Sequence, residues 1–161
     1  MSETEPLIAT PSQTVGPFFH FGLTGNPNGR MVDRLPAGAP ISLVITVTDG
    51  DQKPVADAVL ELCQDGVFGR MPTGENGTSE FLTTRPASHV SVCLFARGLL
   101  RQLHTRIYFP ADAGLPHDQV LALVPEHRRH TLMASADPRD ASIWRFHIRM
   151  QGSDETVFFD M

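Results

Sequence analysis

One stretch of the sequence, Ser88-His89-Val90-Ser91-Val92-Cys93-Leu94-Phe95-Ala96-Arg97-Gly98, has the regular alternation of a β-strand. Alternate apolar residues from Val90 to Leu94 predict a strand with one buried face. Because side chains at every second position share a face, His89 and Ser91 project the same way. A pair of histidines at these two positions could chelate a metal ion, whereas a histidine followed by a serine forms a poor pair of ligands.

Short segments of the same kind occur along the chain and predict an all-β fold. They are bounded by turn sequences that use many of the 13 glycines and 13 prolines. Seven such strands indicate an antiparallel β-sandwich. The predicted strands span residues 41–48, 59–63, 80–84, 89–96, 105–109, 143–150 and 156–159. Residues 64–77 are predicted to be rich in turns, and only residues 118–124 have a helical pattern.

Residues 1–35 have no sustained periodicity and are predicted to form an extended N-terminal arm, followed by a single β-sandwich domain over residues 36–161. The run Pro17-Phe18-Phe19-His20-Phe21 is too apolar for a free tail, so this arm is expected to pack against its own chain or a partner. No export signal and no apolar run of membrane-spanning length is recognisable, so a cytoplasmic location is expected.

Composition excludes several classes of function. The 13 Lys and Arg against 18 Asp and Glu give a net charge of -5, which argues against nucleic acid and anionic membranes as partners. The sequence has no phosphate-binding loop, no CxxC pair and no GxSxG nucleophile motif. Cys63 and Cys93 are expected to be buried free thiols. Since Tyr108 is the one tyrosine, a ferric site with tyrosinate ligands cannot be assembled from this chain.

The histidines are candidate metal ligands, but none of them predicts a complete site. His127 and His130 have a helical metal spacing, although the two arginines between them oppose a cation, so a solvated basic turn is the simpler interpretation. His104 and His147 are expected to make hydrogen bonds at a surface or interface. A single histidine such as His89 is more often a hydrogen-bonded structural residue than a ligand.

Four motifs, one of them within the stretch quoted above, identify a protein family more specifically than the strand alternation does. They extend from residue 10 almost to the C-terminus. They are Thr10-Pro11-Ser12-Gln13-Thr14-Val15-Gly16-Pro17-Phe18, Val92-Cys93-Leu94-Phe95-Ala96-Arg97-Gly98, Leu103-His104-Thr105-Arg106-Ile107-Tyr108-Phe109, and Ile148-Arg149-Met150-Gln151-Gly152 with Glu155-Thr156-Val157-Phe158-Phe159-Asp160. Together they resemble the α-type subunits of the protocatechuate 3,4-dioxygenases, within the intradiol ring-cleavage dioxygenase family. The chain is shorter than is usual for such subunits, in the loops after Gln64 and between Thr84 and Ser88.

The resemblance implies a β-sandwich of the intradiol dioxygenase type and a division of labour between two subunits. A β-type partner would hold Fe(III) with two Tyr and two His and cleave protocatechuate to 3-carboxy-cis,cis-muconate with O2. In this sequence His89 matches the first histidine ligand, Ser91 falls at the second, and Phe68 lies near one tyrosine position. The resemblance therefore implies a vestigial site at His89 and Ser91, with no metal and no catalytic residue in this chain.

The resemblance also implies that the α-type subunit lends residues to its partner's substrate pocket. By match these are Thr14, Gly16 and Pro17 of the arm, together with Arg97. A Gly-Pro turn lets the backbone approach an aromatic ring, and an arginine can bind the carboxylate of protocatechuate. The family often has a tyrosine after Gly-Pro, where this chain has Phe18. The alternative to substrate binding is a structural role: the arm would serve only to pack against the domain, and Arg97 would form an ordinary salt bridge.

Two further functions stay open from the sequence. One is a stand-alone β-sandwich binding or scaffold protein that has lost catalysis, which the trimmed loops and Phe18 would allow. The other is a hydrolase that uses His89 with Ser91, which is disfavoured because no orienting carboxylate is evident beside them.

Overall fold

The computed structural model describes residues 8–35, 38–110, 112 and 114–160. Two four-stranded sheets face each other, with strand orders β4-β1-β8-β7 and β3-β2-β5-β6. Their strands pair antiparallel, except that β1 and β8 run parallel. The predicted all-β sandwich is confirmed. The strands are β1 (Pro40–Thr48), β2 (Val59–Gln64), β3 (Val67–Pro72), β4 (Thr78–Thr84), β5 (Val90–Phe95), β6 (Leu103–Ile107), β7 (Ser135–Ala136) and β8 (Ile143–Arg149).

Alternation along the strands places one apolar row of each sheet in the core. In β5 the buried row comprises Val90, Val92 and Leu94, as the sequence predicts. In β8 the corresponding row includes Phe146 and Ile148. Burial of each large apolar side chain stabilises the fold by about 1.5–3 kcal/mol. The opposite rows of the same strands remain on the outer faces of the sandwich, where they are available to form a site.

Strand β3 lies inside residues 64–77, which the sequence analysis assigned to turns, so that prediction was wrong. Asp65 and Gly66 both have positive φ angles, of 50° and 79°. This backbone forms a tight hairpin that returns the chain as β3 beside β2. The Asp-Gly pair was the sequence signal for the hairpin, and the glycine and arginine within β3 obscured its alternation.

The C-terminal segment is not the strand predicted for residues 156–159. It makes only an isolated bridge, in which Phe159 donates its backbone N–H to the carbonyl of His104 at 2.8 Å. The hydroxyl of Thr156 instead accepts the backbone N–H of Arg149 at 3.0 Å, which holds the segment against the end of β8. The strand predicted for residues 105–109 is present but begins two residues earlier, at Leu103.

The N-terminal region is more structured than the predicted extended arm. A short helix, α1 (Phe19–Leu23), and a 3-10 helix (Val32–Arg34) lie within it. Asn28 bridges to Arg70 of β3, and the side chain of Met31 is fully buried in the core. The second half of this region is therefore covered by its own chain. Among the described residues, no helix is long and apolar enough to cross a membrane.

The basic segment after residue 125 is a 3-10 helix (Glu126–Leu132) and not a solvated turn. Arg128 donates to the carbonyl of Glu155 at 2.6 Å, and Arg129 donates to the carbonyl of Val124 at 2.8 Å. Both arginines are half-buried because they satisfy carbonyl groups of neighbouring loops. The expected hydrogen bonding of His147 is present, since its Nε2 lies 2.9 Å from the hydroxyl of Thr48.

Replacing Gly77 with alanine is expected to destabilise the sandwich more than replacing Gly66. Both glycines have positive φ, which costs a non-glycine residue about 1–2 kcal/mol. At Gly77 an added Cβ would also lie 2.6 Å from the carbonyl oxygen of Val47, whereas nothing lies within 4 Å at Gly66. Urea unfolding of Gly77→Ala should therefore give the larger loss, by about 1 kcal/mol or more. Equal losses for the two variants would contradict the close approach to Val47.

Candidate functional site

The outer row of β5 continues directly into the residues that the sequence analysis selected. Ser91 and Cys93 are half-buried on the outer face of the sheet, and His89 precedes them with the same alternation. Two residues after the strand, Arg97 is largely exposed, with 61% of its side chain accessible. The positions predicted to be vestigial, His89 and Ser91, and Arg97 thus share one alternation that runs along β5 and just beyond both of its ends.

His89 is held by a polar network and not by a second histidine. The hydroxyl of Ser88 lies 2.9 Å from His89 Nδ1, and Asp118 Oδ2 lies 3.7 Å from the same nitrogen. The imidazole ring also packs on the phenol ring of Tyr108, with 5.7 Å between centroids. Burial and the neighbouring Arg106 lower the pKa of His89, which favours the neutral imidazole.

Asp118 is the carboxylate that the sequence analysis did not find beside His89. It lies immediately before the second helix, α2 (Gln119–Leu123), and its Oδ1 accepts the backbone N–H groups of Val120 at 2.9 Å and Leu121 at 2.8 Å. The buried hydroxyl of Tyr108 donates to the same carboxylate at 3.1 Å. The available sequence signal was an aspartate at the start of a helical pattern, which is typical of an N-cap.

This carboxylate does not complete a hydrolase. Its Oδ2 lies 3.7 Å from His89 Nδ1 and accepts a hydrogen bond from Ser88, not from Ser91, and its Oδ1 is already occupied by three donors. Ser91 has no hydrogen bond to His89 among the described residues. The prediction that no carboxylate lies beside His89 was therefore wrong. The hydrogen bonds of Asp118 instead hold the loop before α2 in place.

Replacing Asp118 with asparagine is expected to lower the free energy of unfolding at pH 7 by about 1–2 kcal/mol, because hydrogen bonds to a carboxylate become hydrogen bonds to an amide. Burial raises the pKa of Asp118, but donors from Leu121 and Tyr108 and the nearby Arg106 outweigh it, so the net pKa is lowered from 3.8. A lowered pKa stabilises the fold above the unfolded-state pKa, and this stabilisation is lost as the pH falls through the folded-state pKa. The difference in the free energy of unfolding between Asp118→Asn and the wild type, measured by urea unfolding, should therefore shrink below about pH 4.

Replacing the exposed Asp51 with asparagine serves as the control. A difference in stability for Asp118→Asn that does not depend on pH would contradict the role of the charge.

The donor set around His89 does not fit a ferric ion. His89 can offer one nitrogen, Nε2, because its Nδ1 lies 2.9 Å from the hydroxyl of Ser88, and the hydroxyl of Tyr108 is buried against Asp118. The other two positions that the resemblance aligned with ligands carry a serine hydroxyl, at Ser91, and a phenyl ring, at Phe68, and neither group replaces an imidazole or a phenolate. Within the part of the chain that the structure describes, no group of three His, Cys, Asp or Glu side chains could hold a metal ion.

A shallow cavity of about 210 Å³ lies over the outer row of β2 and β5. Both cysteines line it as free thiols; Cys63 is exposed and Cys93 is half-buried, so the expectation of buried thiols was wrong. Both thiols lie on the outer face of the sheet, where their register partners are Ser91 for Cys63 and Glu61 for Cys93. Burial, with the nearby Glu61, raises the pKa of Cys93 to about 11, so its thiol is a poor nucleophile at neutral pH.

A larger cavity of about 480 Å³ lies on the outer face of the other sheet, and its arginines are already neutralised. Arg145 binds Asp137 at 2.7 Å, and Arg149 binds Asp154 at 3.0 Å. No residue selected from the sequence as a substrate-binding candidate lines this cavity.

The N-terminal arm reaches the end of β5 through one hydrogen bond. The backbone N–H of Gly98 donates to the hydroxyl of Thr14 at 2.7 Å, although the two residues are 84 positions apart. Gly16 and Gly98 both adopt positive φ, of 73° and 92°, so each supplies a turn that other residues rarely make. The structure therefore brings the arm and the residue after Arg97 together.

Beyond Thr14, the arm presents aromatic surface to solvent. The nitrogen Nδ1 of His20 lies 3.1 Å from the carbonyl of Pro17, which closes the turn at the start of α1. The side chains of Phe18 and Phe21 are 76% and 66% exposed, and their rings lie 6.4 Å apart. The two rings therefore form a small exposed aromatic patch on the arm.

Arg97 has a single charged neighbour among the described residues. Its Nε lies 2.9 Å from Oδ2 of Asp57, whose side chain is 26% exposed. The alternative of an ordinary salt bridge therefore has a named partner, which the sequence analysis did not identify.

Comparison with known proteins finds full-length relatives. No protein-family model matches the chain. The protocatechuate 3,4-dioxygenase alpha chain of Burkholderia cepacia is 38% identical over 194 aligned positions, covering 96% of this chain and 98% of that protein. The alpha chain of the same name from Pseudomonas putida is 36% identical over 200 positions, covering 97% and 98%. Because these alignments are longer than the 161-residue chain, the relatives contain segments that this chain lacks.

Solved structures show the same fold at low sequence identity. The dioxygenase domain of a dioxygenase and carbohydrate-binding fusion from Streptomyces sp. SirexAA-E superposes with a TM-score of 0.61 at 22% identity, covering 87% of this chain and 96% of that one. Catechol 1,2-dioxygenase from Acinetobacter sp. ADP1 superposes with a TM-score of 0.57 at 20% identity, covering 74% and 55%. The sandwich is thus of the intradiol dioxygenase type, and the chain belongs to the family of protocatechuate 3,4-dioxygenase alpha chains, as an α-type subunit of an intradiol ring-cleavage dioxygenase.

Proposed function

We propose that this chain works in a hetero-oligomer with a β-type dioxygenase subunit, which holds Fe(III) and cleaves protocatechuate with O2. The bond between the two hydroxyl-bearing carbons breaks, and both oxygen atoms enter the product, 3-carboxy-cis,cis-muconate. In this proposal the α-type chain supplies no ligand to iron. Its part is to shape the pocket that the two subunits share.

The proposed pocket residues of this chain are Thr14, Gly16, Pro17 and Arg97. The observation that supports the proposal is the hydrogen bond between Thr14 and Gly98, because it joins the segment that precedes the Gly-Pro turn to the turn that contains Arg97. Thr14 uses its hydroxyl as an acceptor in this contact, so its role is to position the arm. Gly16 and Pro17 then offer backbone surface to an aromatic ring.

Arg97 is suited to the carboxylate of protocatechuate. Its Nε pairs with Asp57 at 2.9 Å, and its two terminal NH2 groups have no partner among the described residues, so they are available for bidentate binding of a carboxylate. The substrate would gain a charge-assisted contact that an uncarboxylated catechol could not make. Arg97 would therefore contribute to selectivity among catechols.

The same proposal explains the exposed aromatic pair of the arm as a surface that the other subunit covers. We infer that residues 36–161 form the single sandwich domain, and that residues 1–35 are anchored to it through Met31 and serve as an interface arm through the part that carries Phe18 and Phe21. Phe18 and Phe21 would be covered by the β-type subunit, since obligate interfaces are rich in apolar and aromatic side chains. We also propose a cytoplasmic location, which the two free thiols favour.

Co-expression of this chain with a β-type subunit tests the proposal. The purified mixture is expected to contain iron, to show the colour of ferric tyrosinate and to consume O2 with protocatechuate. The isolated chain serves as the matched control and is expected to show neither iron nor turnover. The proposal would be overturned if the isolated chain bound stoichiometric iron and turned over protocatechuate, or if the two chains did not associate.

A further inference from the structure

Asp57 and Arg97 form an ion pair just beyond the ends of β2 and β5. In the antiparallel pair of these strands, Val59 stands opposite Phe95. Asp57 lies two residues before Val59 and Arg97 two residues after Phe95, and both are in turns. The ion pair of 2.9 Å therefore joins the two turns that flank this end of the strand pair.

Asp57 is the fixed member of this pair. The next residue, Ala58, is fully buried, and its backbone N–H donates to the hydroxyl of Thr73 at 3.0 Å. The backbone N–H of Thr73 returns a hydrogen bond to the carbonyl of Ala58 at 2.9 Å, and the hydroxyl of Thr73 donates to the carbonyl of Val55 at 2.7 Å. The backbone on both sides of Asp57 is thus tied to the start of the sheet.

Arg97 is the adaptable member. Its side chain is 61% exposed, and it lies just before Gly98, whose φ is +92°. A long exposed arginine samples many rotamers and loses conformational freedom when it binds a ligand. A fixed negative charge beside the guanidinium group reduces this loss by restricting the arginine before the ligand arrives.

We propose that Asp57 is a positioning residue that holds Arg97 ready for the carboxylate of the substrate, and that Asp57 thereby supports selectivity for carboxylated catechols. This inference rests on the proposed function, in which Arg97 faces the shared pocket. Asp57 itself does not touch the substrate. It acts by limiting the directions that the guanidinium group can take.

The test uses Asp57→Asn, which keeps the side-chain shape and removes the charge, and Asp57→Glu, which restores the charge. In the complex with the β-type subunit, Asp57→Asn is expected to raise the KM for protocatechuate about 2- to 10-fold while kcat stays unchanged. The KM for catechol, which lacks the carboxylate, should not change. Asp57→Glu should recover part of the lost affinity for protocatechuate.

A second measurement does not depend on turnover. Phenylglyoxal modifies arginines, and peptide mass spectrometry of the full chain gives the rate at Arg97 relative to the exposed Arg101. Asp57→Asn should raise the rate of phenylglyoxal modification at Arg97 relative to Arg101, because the guanidinium group is released from its ion pair.

Two results would overturn the inference. One is an unchanged relative modification rate, and the other is an unchanged or lowered KM for protocatechuate in an active complex. Loss of turnover in the wild-type complex would instead count against the proposed function, and the modification rate would still decide whether Asp57 restrains Arg97.

Discussion

Replacing Arg97 with alanine is expected to raise the KM for protocatechuate in the assembled complex by about 10- to 100-fold, because a hydrogen-bonded charge contact contributes roughly 1.5–3 kcal/mol. The value of kcat should change much less, since the carboxylate is bound both before and during ring cleavage. Steady-state oxygen uptake over a range of protocatechuate concentrations measures both quantities.

Two comparisons make the Arg97 result specific. Catechol should be turned over equally by the wild-type and the Arg97→Ala complexes, because it has no carboxylate. Arg101→Ala removes another arginine four positions away, whose ion pair with Asp160 is exposed, and should leave the KM for protocatechuate unchanged. A similar loss with catechol, or with Arg101→Ala, would show that the substitution disturbs the interface and not a carboxylate site.

The largest effect on stability is expected at Phe81. Its side chain on β4 is fully buried and stands opposite Leu43 of β1 in the centre of the sandwich. Phe81→Ala should lower the free energy of unfolding by about 3–5 kcal/mol, from the lost burial and the cavity that remains. This is a large share of the roughly 5–15 kcal/mol that stabilises a typical domain. Urea unfolding followed by tryptophan fluorescence measures the change, since Trp144 lies in the same core.

Phe68→Ala is the matched control for Phe81→Ala. The Phe68 side chain on β3 is 40% exposed and covers only a shallow cavity. Its loss should change the free energy of unfolding by less than about 1 kcal/mol, including its contact with Arg70. Equal effects of the two substitutions would contradict the assignment of Phe81 to the core.

The fold was predictable where alternation is uninterrupted. In β1, β5 and β8 each apolar row is continuous, and the buried residues of the structure follow it. Strand β3 was missed because Gly69 and Arg70 interrupt its pattern, and its evidence was the preceding Asp-Gly turn. The segment 156–159 was overpredicted because alternation alone does not reveal whether a neighbouring strand edge is free to pair.

The site was predictable only in part, because it depends on contacts between distant segments. Thr14, Gly16, Pro17 and Arg97 were selected through family resemblance, and their role in substrate binding stays a prediction. Asp57 and Asp118 were not selected, since their partners lie on turns and loops that come together only in the folded sandwich. Neither relation is visible until the strands are paired.

The hydrogen bond between Thr14 and Gly98 also constrains the order of folding. It closes a chain segment of 84 residues, and such distant contacts form late because loop-closure entropy opposes them. The arm can dock only after β5 has paired and the turn at Gly98 has formed. A nascent or misfolded chain consequently cannot present the Gly-Pro turn and Arg97 together, so a partner that requires both would assemble only with chains whose sandwich is complete.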